Sequence, residues 1–86
     1  MKTRITLFGA LREADPSGCV ELDVPPDSTV AGLRECLIEH LRRHAPSIPA
    51  ELVQRCAFAT DEEILHDHRA VPEGVALAVL PPVSGG

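Results

Sequence analysis

Val75-Ala76-Leu77-Ala78-Val79-Leu80 carries no polar side chain at any position. A strand with one face in water alternates apolar and polar residues, whereas a run that is apolar throughout suits a strand covered on both faces or set centrally in a sheet. The segment therefore reads as a central strand, and the rest of the fold is arranged around it. Its counterpart at the other end of the chain is Thr3 to Phe8, with Ile5 and Leu7 on one face and Thr6 and Phe8 on the other. Cys19 to Val24 alternates strictly, with Val20, Leu22 and Val24 inward and Cys19, Glu21 and Asp23 outward. Asp15-Pro16-Ser17-Gly18 supplies the turn that pairs these two segments as a hairpin, and Pro25-Pro26 ends it.

A helix follows. Thr29 is the expected N-cap, and Val30, Leu33, Leu37, Ile38 and Leu41 form one apolar stripe. Arg42, Arg43 and His44 place positive charge at the negative end of the helix dipole, and Pro46 stops the helix. Pro46 to Pro49 reads as a loop and Gln54 to Thr60 as a strand. Asp61-Glu62-Glu63 reads as a charged turn, Ile64-Leu65 as a short strand and Val71 to Gly74 as another turn. The order ββαβ(β)β with a single main helix predicts a two-layer α+β domain, a mixed four- to five-stranded sheet packed on that helix. A β-grasp, ubiquitin-like topology fits, with the first and last strands parallel and adjacent in the middle. The domain is expected over residues 1–80, with 81–86 as a flexible C-terminal tail.

Composition bounds the function. Eighty-six residues make one domain, and area scaling hides only about 63% of the surface on folding. A hydrophobic fraction of 44% can fill that small core. The net charge of −5, with no Trp or Tyr, offers neither a basic footprint nor stacking platforms for nucleic acid. Cys19, Cys36 and Cys56 are odd in number and lack metal-ligand spacing, so they read as reduced, mostly buried thiols of a cytoplasmic protein. The apolar run from Ile5 ends at Arg12, too short for a leader, and no stretch suits a membrane span.

Six residues follow the last strand: Pro81-Pro82-Val83-Ser84-Gly85-Gly86. The prolines cannot extend a ladder, and the arm reaches at most ~20 Å. Gly85 and Gly86 lack a Cβ, so a terminal carboxylate could enter a cleft too narrow for other residues. A carboxylate is a poor acyl donor and needs activation, most economically as an acyl-adenylate made from ATP. Two glycines end a chain by chance in about 0.5% of cases, so the pair draws its meaning from the domain and proline spacer before it.

Leu80 to Gly86 resembles the C-terminal signature of the MoaD/ThiS sulfur carriers, in the branch of the molybdopterin synthase small subunit. Leu7-Phe8-Gly9-Ala10-Leu11-Arg12-Glu13 is similar to that family's first strand and turn, and Thr29 to Arg34 to its helix start. The resemblance implies that an E1-like (MoeB-like) enzyme adenylates Gly86 and that a sulfur donor, such as a desulfurase or rhodanese, converts it to a thiocarboxylate. A large synthase subunit (MoaE-like) would then use the sulfur for the dithiolene of molybdopterin. The chain would supply a reactive terminus rather than an active site, and would bind no cofactor, since ATP belongs to the partner. Pro81, Pro82, Val83, Ser84 and Gly85 would enter that partner. Two departures, at Thr60-Asp61 and Val75-Ala76, leave open which activating enzyme and acceptor are served. Carriers for thiazole, cysteine or other sulfur pathways and ubiquitin-like modifiers are the alternatives, although Lys2 is the only lysine.

With Ile5, Leu7, Leu77 and Val79 against the helix, Phe8, Ala78 and Leu80 would face the other way. An uncovered apolar patch at the root of the arm reads as a docking site, and the family resemblance implies that Ile64 joins it. Other signals are weaker. His66-Asp67-His68 could pair two histidines on a metal but reads as a solvated turn, so no metal site is expected. His40 and His44 lie four apart on the helix, helix-end electrostatics explains His44, and no motif supports a Cys-His pair.

Overall fold

The computed structural model describes residues 1–82. Strand β1 (Lys2–Leu7) buries Thr3, Ile5 and Leu7 and exposes Lys2 and Arg4, and β2 (Cys19–Asp23) pairs with it antiparallel from Lys2↔Asp23 to Thr6↔Cys19. Helix α1 (Val30–His44) begins at Thr29, whose hydroxyl accepts from the Gly32 N–H at 3.3 Å. A short helix α2 (Ala50–Gln54) precedes β3 (Ala57–Ala59), β4 (Ile64–Leu65) and β5 (Leu77–Leu80).

The sheet order is β2-β1-β5-β3-β4, with β5 parallel to β1 and antiparallel to β3. The last strand is therefore central, as its unbroken apolar character requires. One layer of the core is the sheet face carrying Ile5, Leu7, Phe58, Leu65, Leu77 and Val79. The other is the α1 stripe of Val30, Leu33, Leu37, Ile38 and Leu41, each at most 6% exposed. Each such side chain contributes about 1.5–3 kcal/mol on leaving water.

Four local readings are corrected. The segment Gln54–Thr60 does not start as strand: Ala50 to Gln54 forms α2, so the chain has a second helix, and β3 is confined to Ala57–Ala59. Ala, Glu, Leu and Gln are good helix formers, and Glu51 in the first turn suits the dipole. Val75 and Ala76 are exposed and the strand starts at Leu77, since these two residues leave the turn at Gly74 without joining the β1 ladder. The β1–β2 connection also contains a 3-10 turn, Gly9–Ala14, which buries Leu11. Of the thiols only Cys56 is buried, while Cys19 and Cys36 are half-buried.

His66-Asp67-His68 is more than a solvated turn. Asp67 and Arg69 carbonyls accept from the Ala31 and Val30 N–H groups at 3.0 and 2.9 Å, satisfying donors that the first helical turn leaves free. Arg34, on the same stripe as the core leucines, is only 7% exposed. Its guanidinium donates to the Val53 and Cys56 carbonyls at 2.9 and 2.6 Å and to Asp67 Oδ1 at 2.8 Å, and lies 5.1 Å from the Phe58 ring centroid. One side chain thus ties α1, the end of α2, the start of β3 and the 66–71 loop together.

Candidate functional site

The face of the sheet turned away from α1 is divided by charge. On β1 and β2 it carries Lys2, Arg4, Glu21 and Asp23, with Lys2 Nζ 3.8 Å from Glu21 Oε1. Across β5, β3 and β4 it becomes apolar. Thr6↔Ala78, Ala78↔Ala59 and Ala59↔Ile64 form one row, and Leu80↔Ala57 lies in the next, level with Phe8. Alanines at 57, 59 and 78 keep this floor low, and the larger side chains stand above it. Phe8 is 42% exposed and Ile64 56%, while Leu80 is half-buried.

The structure thus brings Phe8, Leu80 and Ile64 to one face, Phe8 and Leu80 at the end where the arm begins. Thr6, Phe8, Ala59, Ala78 and Asp61 line a shallow depression on it. The Thr60 hydroxyl accepts from the Glu62 and Glu63 N–H groups, both at 3.2 Å, which holds the acidic turn beside the patch. Glu63 is engaged by Arg69 at 2.9 Å, and that hydrogen bond holds its carboxyl below the ordinary carboxylate value. Asp61 and Glu62 are exposed.

Pro81 and Pro82 continue directly from β5, Pro81 half-buried and Pro82 exposed. Val83, Ser84, Gly85 and Gly86 lie outside the described residues. The Gly9–Pro81 contact was missed by sequence reading: a Cβ on Gly9 would meet Pro81 Cγ at 2.8 Å. Its one visible signal was a glycine directly after a strand. The alternation Ala57-Phe58-Ala59 was likewise available as a sign that β3 offers only small side chains to this face.

The other candidates are not drawn to this face. The His66 and His68 rings stack with centroids 6.2 Å apart, and Asp67 between them is committed to Arg34. His40 and His44 lie on α1 with centroids 4.4 Å apart. No group of three or more His, Cys, Asp and Glu suited to a metal ion occurs among the described residues. Burial pushes the Cys56 thiol up, away from thiolate chemistry. No helix of the described residues is long and apolar enough to cross a membrane.

A mixed sheet grasping one long helix, its central last strand running out past a bare apolar face, defines a ubiquitin-like β-grasp protein. SAMP1 from Haloferax volcanii superimposes with a TM-score of 0.73 at 27% identity over the whole of both chains. The UBL domain of Plasmodium falciparum Dsk2 follows the same fold, with a TM-score of 0.64 at 19% identity over 95% of this chain and 97% of that one. Within that class, the chain belongs to the ThiS family, whose model matches residues 5–86. The molybdopterin synthase sulfur carrier subunit of Synechococcus elongatus is 37% identical over 92 aligned positions covering all of both chains.

Proposed function

We propose that this chain is the sulfur-carrier small subunit of a molybdopterin synthase. The observation that carries the reading is the end-to-end similarity, 37% identical, to a chain of that name. The geometry supports it: Phe8 and Leu80 offer a partner an apolar surface where the arm leaves the sheet. An E1-like enzyme transfers AMP from ATP to the Gly86 carboxylate, releasing pyrophosphate. Hydrosulfide-level sulfur then attacks the acyl carbon, forming a C–S bond as the bond to AMP breaks, and the resulting thiocarboxylate donates its sulfur to the molybdopterin precursor on the large subunit. The carboxylate is the only reacting group the carrier contributes, so recognition by two successive partners is its main task.

Intact mass spectrometry tests the reading. Co-expression with the activating enzyme and a sulfur source adds about 16 Da as one oxygen is replaced by sulfur, and deletion of Gly86 abolishes the gain. A chain that stays unmodified under these conditions overturns it. A second reading, a ubiquitin-like modifier, is favoured by the likeness to SAMP1 and to small archaeal modifier protein 1 of Haloferax volcanii. Covalent adducts of this chain on lysines of other proteins would select that alternative.

A further inference from the structure

Strands β1 and β5 run parallel with Leu7 opposite Val79. One residue on, Phe8 comes level with Leu80, and beyond them Gly9 with Pro81. There the two chains part. The first turns away through Gly9 at φ +61°, into the 3-10 segment. The second continues as Pro81-Pro82. The proline ring rests on the bare α-carbon of Gly9, since a Cβ there would stand 2.8 Å from Pro81 Cγ.

Two demands therefore meet at one position and can be separated. The turn needs a left-handed φ, which Asn also tolerates. The missing side chain serves only the approach of Pro81. Gly18, the other left-handed glycine of this connection, has only the flexible end of Arg12 near its missing Cβ, at 3.6 Å.

We propose that Gly9 is a positioning residue for the C-terminal arm. By seating Pro81 it sets the direction in which the chain leaves the sheet, and through its neighbour Phe8 it ties that direction to the docking face. The inference rests on the sulfur-carrier reading. An acyl group that must meet ATP inside a partner's cleft depends on where its arm starts, because displacement of reacting atoms by about 1 Å can cost on the order of 100-fold in rate. Docking through Phe8 does not require the seat, so its loss separates binding from turnover.

The test uses Gly9→Asn, which keeps the left-handed turn but sets a Cβ against Pro81, alone and combined with Pro81→Ala, which removes the clashing Cγ. Each full-length variant is assayed by ATP–pyrophosphate exchange with the cognate E1-like enzyme and by urea unfolding. Gly9→Asn is expected to lower kcat about tenfold or more while KM for the carrier stays within about twofold. Adding Pro81→Ala is expected to restore much of both kcat and the urea midpoint. An unchanged kcat, or a loss confined to KM, overturns the positioning role. A double variant no better than Gly9→Asn in the urea midpoint overturns the seat itself. If the wild-type chain supports no exchange, the sulfur-carrier reading fails and the positioning role with it, whereas the urea comparison still judges the Gly9–Pro81 contact.

Discussion

Arg34 shows how much one charged side chain can organise in a small core. It sits on the apolar stripe of α1, so a hydrophobic residue would be expected there, yet three segments turn carbonyl or carboxylate oxygens towards it. Its removal would leave the Val53 and Cys56 carbonyls without their charged donor. Arg34→Leu is expected to destabilise the fold by on the order of 2–3 kcal/mol, read from urea unfolding. Asp67→Asn is expected to cost less than about 1 kcal/mol, because Asp67 is 60% exposed and water replaces its partner. His40 carries a second residue-scale prediction. Burial, then the neighbouring His44, lower its pKa from the ordinary 6.5, with Asp15 opposing and Arg43 adding slightly. The unfolded chain therefore takes up this proton first as pH falls. The stability contributed by the neutral ring is complete above the unfolded value of 6.5 and is lost as pH falls through the lowered folded one. Melting temperature should fall as the pH drops below about 6.5, and His40→Gln should flatten that slope.

At the scale of elements, the strand edges and helix ends explain which parts of the chain were legible. The alternation of β2 and the stripe of α1 are periodic over enough residues to name their element and their buried face, and both carry the faces expected of them. Helix α2 is only five residues long, too short for a period to show; it starts after Pro49, and Arg34 donates to its Val53 carbonyl. The early start read for β5 follows from treating apolar character as pairing: Val75 and Ala76 are apolar but find no partner strand. Within β1, Thr3 Oγ1 is buried without a hydrogen-bond partner among the described residues. Thr3→Val keeps the shape and removes the unpaired hydroxyl, so it is expected to raise stability by about 1 kcal/mol in thermal or urea unfolding.

For the whole molecule, the division of the outer sheet face matters most. One half pairs charges in water, and the other holds Phe8, Ile64 and Leu80 over a floor of alanines. Because Phe8 is 42% exposed, Phe8→Glu should leave the melting temperature nearly unchanged. On the proposed function, the affinity of this variant for a large synthase subunit should fall about tenfold or more, measured by calorimetry, since a carboxylate would be desolvated against an apolar partner. Unaltered affinity would remove this face from the interface. Leu80→Glu is a less clean test, as Leu80 is half-buried beside Ala57 and so contributes to the sheet as well.

The sequence by itself determined the layer arrangement, the central last strand and the buried face of each long element. These depend on periodicity and on the conformational limits of proline and glycine, which are properties of neighbours along the chain. Only the tertiary structure decided that Arg34 is buried, that the 66–71 loop closes the start of α1, and that Gly9 supports Pro81. Each of those joins residues at least nineteen positions apart, and such contacts depend on how packed elements happen to meet, which local pattern does not encode.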